Sequence, residues 1–318
     1  MAGMSGKFGI QYSSFSYPEG NESIYSHISE VALECERLGF DSFTLADHFF
    51  SALGPPQEPF MEAWTTLSAL SVTTQRIRLG SLVSSNLFRN PALLAKMAAT
   101  VDVISNGRLI LGVGSGNLPK EYQMYGLSFG TPRERIGRLE EALQVITMLW
   151  SGDQVDFEGR YYSLEGAICS PGPLQKPRPP IMVGGDGQKA TLRLVARYGD
   201  MCNIHGSPEA IREKLDSLDR HCGSIGRDPA EVLKTRHSFA IIGETDAEVK
   251  AKAQGFLDGT GLAPSVLDSF DIGTPGQLTE LYRRHFDAGL DYLIVNFRRD
   301  AGVEPVQLFA QQVMPNFS

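Results

Sequence analysis

Cysteine is scarce in this 318-residue chain, which carries only Cys35, Cys169, Cys202 and Cys222. They are widely spaced, with no Cys-x-x-Cys or zinc-like pairing, so neither a metal site nor a disulfide framework is indicated. The four read instead as small buried hydrophobes. Long apolar runs are missing as well: nothing approaches the ~18–20 consecutive apolar residues of a membrane helix. No basic region followed by an apolar stretch opens the chain, so a secretory signal is not expected. Met1 to Gly6 reads as a short polar leader, and the expected compartment is the cytoplasm. Positive charge is in deficit too, with 29 Lys and Arg against 37 Asp and Glu, a net charge of −8 and a pI near 5.3. A nucleic-acid binder would normally show a basic face. A small anionic ligand is still compatible with this balance, because helix N-termini hold phosphate even on acidic proteins.

What is present is ordinary globular material: 42% hydrophobic, 21% charged, mean hydropathy −0.14. Strand-like and helix-like segments alternate along it. Lys7 to Ser13 is a strand, and Ser23 to Leu38 shows helical spacing that Gly39 ends. Asp41 to Ala46 and Ile77 to Val83 are strands, separated by a helix from Met61 to Thr74. Asn90-Pro91 opens the helix Ala92 to Ile104, with proline where a missing N–H costs little. Arg108 to Val113 is nearly continuous in hydrophobicity, as suits a parallel strand buried on both faces. The second half repeats the rhythm, with strands at Pro180 to Val183, Asp200 to Ile204, Thr235 to Ile242 and Tyr292 to Phe297. Helices are expected at 133–150, 188–198, 208–221, 246–257, 275–288 and 305–313. Eight strands alternating with helices imply a closed (β/α)8 TIM barrel, formed by residues 1–318 as one domain. Three stretches break the rhythm: Asn117 to Pro132, Gly152 to Pro179 with a hairpin in QVDFEGRYYSL, and Gly259 to Thr274. The last is rich in Gly, Pro, Ser and Asp, reads as mobile, and is a candidate lid.

Three motifs carry chemistry. Asp47-His48-Phe49 ends the second strand, where barrel enzymes place active residues. Asp47 could simply cap a turn there, but a histidine at a strand mouth can also bind a cofactor or pass a proton. Gly112-Val113-Gly114-Ser115-Gly116-Asn117 follows the fourth strand. Its spacing and its mid-chain context both fail the Rossmann fingerprint. Its glycines would still let backbone N–H groups approach a phosphate, though a tight turn explains them equally well. Gly184-Gly185-Asp186-Gly187 leads into a helix near Gln188, a ready anion site. No metal-ligand cluster is visible.

Taken in order, these pieces resemble the luciferase-like monooxygenase superfamily. The resemblance rests on Asn90-Pro91-Ala92-Leu93-Leu94-Ala95-Lys96, Asp102, Ser105, Gly107-Arg108 and Leu111-Gly112-Val113-Gly114. It continues through Arg133-Glu134-Arg135-Ile136, Leu149-Trp150, Phe157-Glu158-Gly159, Pro179-Pro180-Ile181, Gly184-Gly185 and Ala196-Arg197-Tyr198-Gly199-Asp200. Asp47-His48-Phe49 with Ser81-Leu82-Val83 is similar to the branch that uses the deazaflavin coenzyme F420; other branches use FMN. By that resemblance Asp47 and His48 lie against the deazaflavin ring, with His48 the catalytic acid or base. The same resemblance implies a non-proline cis peptide at Ser81-Leu82, behind the ring. Gly114, Ser115, Gly116 and Asn117 cradle the cofactor tail beside Gly184, Gly185 and Gly187. Sugar-phosphate dehydrogenases of this branch carry a tryptophan soon after the histidine and a glutamate at the position of Asn117. Here Phe50-Ser51-Ala52 and Asn117 stand instead, which speaks against a sugar phosphate. Substrate-side candidates are Tyr12, Glu121, Tyr122, His205, His237 and Arg298, while His27, His221 and His285 read as surface or packing residues.

The resulting expectation is hydride transfer between F420 and an alcohol, ketone or activated alkene. An FMN-dependent two-component monooxygenase fed by a separate reductase is the alternative, and a non-catalytic flavin binder the third reading. A small-molecule substrate and a homodimer through the early helices are implied by the resemblance. No nucleic-acid or membrane partner is expected.

Overall fold

The structure, a computed structural model, describes residues 6–297 and 302–317. Eight strands form the barrel: β1 (Lys7–Tyr12), β2 (Ser42–Leu45), β3 (Arg78–Ser81), β4 (Leu109–Gly114), β5 (Ile181–Gly184), β6 (Met201–Ile204), β7 (Leu233–Ile242) and β8 (Tyr292–Asn296). Each pairs in parallel with its sequence neighbours, and β8 pairs with β1 to close the ring. The strands lead to an outer layer of helices: α1 (Ile24–Leu38), α2 (Ala63–Thr73), α3 (Pro91–Ile104), α4 (Pro132–Leu149), α5 (Thr191–Tyr198), α6 (Pro208–Ser224), α7 (Pro275–Asp287) and α8 (Glu304–Gln312). A further helix, Asp246–Thr260, follows β7. No helix among the described residues is long and apolar enough to cross a membrane.

Strand side chains alternate between two cores, as the two-residue period demands. On β4, Leu109, Leu111 and Val113 face the helices and join the large outer core, while Ile110 belongs to the small cluster inside the barrel. The inward positions that follow Ile110 are Gly112 and Gly114. A Cβ at Gly112 would sit 1.9 Å from the Ser81 carbonyl oxygen, so only glycine lets β3 approach there. The same parity sends Phe8, Ile10 and Tyr12 of β1 outward and turns Gln11 into the barrel. Helix starts are capped as their sequences suggest. Thr131 and Glu134 form a capping box on α4, and the Asn90 side chain accepts from Ala92 N on α3. Such caps contribute about 1 kcal/mol each.

The three excursions behave differently. Pro119–Met124 in the first is a short helix. The second contains the expected hairpin, Val155–Glu158 against Ser163–Ala167. The third is more built-in than its composition suggests. Asp271–Gly273 pairs in parallel with Ala240–Ile242 of β7, and the buried Asp271 accepts 2.7 and 2.9 Å bonds from Arg236. That ion pair spans 35 residues of sequence, out of reach of any local reading. No described residue of 259–274 lines the cavity described below, but Phe270 stacks on the cavity-lining Phe239 with ring centroids 5.1 Å apart. All four cysteines are buried and free.

Candidate active site at the mouth of the barrel

A cavity of about 420 Å³ opens at the C-terminal ends of the strands, within the usual range for small-molecule sites. Its β2 wall is braced from behind by charge. Asp47 is 1% exposed and accepts 2.7 and 3.1 Å bonds from Arg89. Arg89 also donates to Glu62, whose carboxylate caps α2 through Trp64 N and Thr65 N. Burial opposes the Arg89 charge, but the two carboxylates outweigh it and raise its pKa. Next to Asp47, His48 Nδ1 lies 2.9 Å from Oε2 of Glu121, a carboxylate only 1% exposed. Glu121 Oε1 accepts from Phe49 N at 2.5 Å. A carboxylate accepts only, so Nδ1 carries the proton and Nε2 is left to the rest of the site.

Between the walls the backbone comes close. The non-proline cis bond joins Leu82 and Val83, one residue later than the sequence reading placed it. Leu82 N still donates to Leu45 O in the β2–β3 ladder, so the strand holds that peptide group and the chain departs only beyond it. Gln11 Nε2 donates to Leu82 O at 2.5 Å, and Gln11 is held in turn by Asn296. Past β4, Gly116 has φ +80, and a Cβ there would meet the Tyr122 hydroxyl at 2.2 Å. A Cβ on Gly184 would lie 3.0 Å from both Val83 methyls.

The opposite side is formed by β6 and β7. Parity carries Asn203 and then His205 inward from β6, and His237 and Phe239 inward from β7. His205 Nδ1 lies 3.0 Å from Asp186 Oδ2, and its backbone N donates to Asp186 Oδ1 at 2.8 Å. Lys214 on α6 donates to the same carboxylate at 2.8 Å. Burial alone would raise the Asp186 pKa, yet the hydrogen bonds from His205 and Lys214 prevail and hold it well below the usual carboxylate range. Burial pushes the His237 imidazole well below its ordinary pKa, and His205 and Arg236 add to the effect. Its Nε2 is buried and has no hydrogen-bond partner.

The sequence model of luciferase-like monooxygenases matches residues 7–300. The chain belongs to that family. It is 35% identical over 314 residues to an F420-dependent glucose-6-phosphate dehydrogenase of Amycolatopsis mediterranei, covering 90% of this chain and 92% of that one. A shorter match, 34% over 230 residues, spans 69% of this chain and 65% of the F420-dependent glucose-6-phosphate dehydrogenase of Microbacterium testaceum. Among solved structures, an F420-dependent secondary alcohol dehydrogenase holding an F420–acetone adduct superposes with a TM-score of 0.84. It shares 20% identity and covers 99% of this chain and 100% of that one.

Within this luciferase-like barrel the residues singled out from sequence separate into groups. Asp47, His48, Leu82, Gly114, Ser115, Gly116, Asn117, Gly184 and Gly185 line the cavity. Ser81 and Gly187 do not: Ser81 Oγ is turned to Gly112 O, and Gly187 O is engaged by Leu192 N. The helix after this loop begins at Thr191, later than expected, and Gly185 N is committed to Asn203 O. Of the substrate-side candidates, Tyr122, His205 and His237 reach the cavity. Tyr12 faces the outer core and bonds Tyr17, because its parity on β1 is that of Phe8. Glu121 stands behind His48, and Arg298 lies outside the described residues. Gln11, Arg89 and Phe239 went unnoticed in the sequence. Gln11 did leave a signal there, a polar residue between the apolar Ile10 and Tyr12.

Proposed function

We propose that the protein is an oxidoreductase that moves a hydride between the deazaflavin coenzyme F420 and a small organic substrate. The observation that carries this is a histidine backed by a buried carboxylate, facing a glycine-built cradle in one cavity. The residues fit such a ligand. A Cβ on Gly116 would meet the Tyr122 hydroxyl and one on Gly184 would press on the Val83 methyls, so these glycines let the cavity walls pack closely and leave the loop backbone bare toward the cavity they line. Residues 115–117 would hold the phosphate-bearing tail; Gly185 is less suited because its N–H is already used. Asp47, His48 and Leu82 would lie against the ring. When bound, the deazaflavin supplies a ring carbon that takes or gives hydride. The chain's own work is to orient the reactants and to hold or move a proton at His48 Nε2. The F420-dependent relatives support this reading.

The substrate we infer is an alcohol, ketone or activated alkene without phosphate. Among the described residues no Lys or Arg lines the cavity, and Asn117 stands where the resemblance calls for glutamate. Pairing of two copies through the early helices is supported by Leu33, Val72 and Leu93, large apolar side chains exposed on α1, α2 and α3.

The test is titration of the purified protein with oxidised F420 and, separately, FMN, by calorimetry, followed by a turnover screen of secondary alcohols, ketones and cyclic enones. Saturable F420 binding with weak FMN binding and F420-linked turnover is expected. The reverse preference overturns the proposal in favour of an FMN-dependent monooxygenase. F420 binding without turnover of any substrate in the screen leaves only a binding protein.

A further inference from the structure

Two histidine–carboxylate pairs face this cavity, and the function proposed above uses only one. His48–Glu121 follows β2; His205–Asp186 joins the loops after β6 and β5. In the closed ring of eight, β2 and β6 are four strands apart, as are β3 and β7. His205 and its neighbour His237 therefore stand across the barrel from His48 and the Leu82–Val83 bond. If the ring rests on the β2–β3 wall, as that reading has it, the substrate lies between the ring and the β6–β7 wall.

Hydride transfer changes charge at both ends. In the oxidising direction the substrate's C–H bond breaks, and its electron pair leaves as hydride to the oxidised deazaflavin. Its O–H bond also breaks, and the carbon–oxygen double bond forms as the proton departs. The ring that gains the hydride needs one proton to balance charge. His48, protonated at both ring nitrogens beside the Glu121 carboxylate, would give that proton from Nε2 at the near end. The far end needs a group that is fixed in orientation and has a free lone pair.

His205 meets both conditions. It is held at three points: its ring by Asp186, its backbone N by Asp186, and its carbonyl by Lys214 at 2.6 Å. The ionised Asp186 only accepts, so Nδ1 bears the proton and Nε2 keeps its lone pair. His205 also remains 49% exposed, open enough to exchange a proton. His237 lies edge-on to it at 6.1 Å, and its Nε2 is buried without a hydrogen-bond partner, a poor home for a cation. Asp186, Lys214 and His237 are thus the ionisable groups set around His205.

We propose that His205, aligned by Asp186, is a second catalytic residue of this cavity that exchanges the proton of the substrate's oxygen at Nε2. The inference rests on the function proposed above, and its test separates the two. In the cofactor-free protein, nitrogen-15 NMR should show His205 as the Nδ1–H tautomer. His205→Gln should bind F420 within about threefold of the unmodified chain by calorimetry. With the best alcohol from the screen it should turn over about 100-fold more slowly, the lower range for lost acid–base catalysis. Imidazole in solution should restore part of the rate in His205→Ala, which a merely structural role would not allow. Thermal melting of both variants checks the fold. An unprotonated Nδ1, a kcat within threefold in His205→Gln, or an effect confined to F420 affinity would each overturn the inference while leaving the proposed function standing. If the unmodified chain binds no F420, both fall together.

Discussion

At the end of β2, His48 leans on a carboxylate that is 1% exposed, and its neighbour Asp47 is locked to a buried arginine. At the end of β6, His205 leans on Asp186, whose side chain is 43% exposed, with Lys214 as the cation. The chemistry of the two pairs is the same, and the dielectric around them is not. Interactions on the β2 wall are shielded from water and salt, so losing one partner leaves an uncompensated buried charge. On the β6 wall the solvent can repay much of any loss. The β2 wall thus suits a histidine held in one place, while the end of β6 suits a histidine that exchanges protons with its surroundings.

That contrast can be broken most forcefully at His48. His48→Ala should lower kcat by about 10²–10⁴-fold while F420 binding, followed by calorimetry, stays nearly unchanged. Full activity would remove the β2 wall from the chemistry. Next comes Arg89→Met, which strands both Asp47 and Glu62. We expect a loss of about 3–5 kcal/mol in urea unfolding; a loss under 1 kcal/mol would mean that Asp47 is not sealed as the distances indicate.

The third prediction concerns the back of the β6–β7 wall. Burial, with Arg236 nearby, pushes the pKa of His285 on α7 down to about 4. The unfolded chain takes up this proton near pH 6.5, the folded one only near 4, so folding is favoured by this group above 6.5 and loses stability as pH falls from 6.5 towards 4. The loss is about 3 kcal/mol. Urea midpoints of His285→Gln at pH 7 and 4.5 should differ less than those of the unmodified chain. The flattening should be partial, because His237 contributes a limb of the same sign. Equal pH dependence in the two proteins would locate the acid sensitivity elsewhere. The smallest effect is expected at Lys214→Ala, with stability within about 1 kcal/mol and kcat down by only about two- to fivefold. A collapse of stability there would show that the two walls are not so different after all.

Most of the architecture was legible from local pattern. All eight strands lie within two residues of where the alternation of apolar runs put them, because burial on both faces leaves a continuous apolar signature. Glycine loops and a histidine at a strand mouth were likewise legible as site candidates, since few structural needs place them there. Other features were illegible for definite reasons. Glu121 looked like a substrate-side group because its orientation depends on where the Pro119–Met124 helix packs. Tyr12 looked available, but its position on β1 points it outward. Residues 259–274 looked mobile because composition cannot reveal that Asp271 has a partner on β7.

The sequence by itself determined the barrel, its strand order and the end at which its chemistry would sit, because backbone periodicity and glycine placement are local properties. Only the tertiary structure decided which charges meet. Arg89 reaches Asp47 across 42 positions and His48 reaches Glu121 across 73. The pairing of His205 with Asp186 likewise depends on two strand ends being side by side in the closed sheet. Hydrogen bonds between side chains act over about 3 Å of space, and a chain brings those distances together only once the ring of strands has closed.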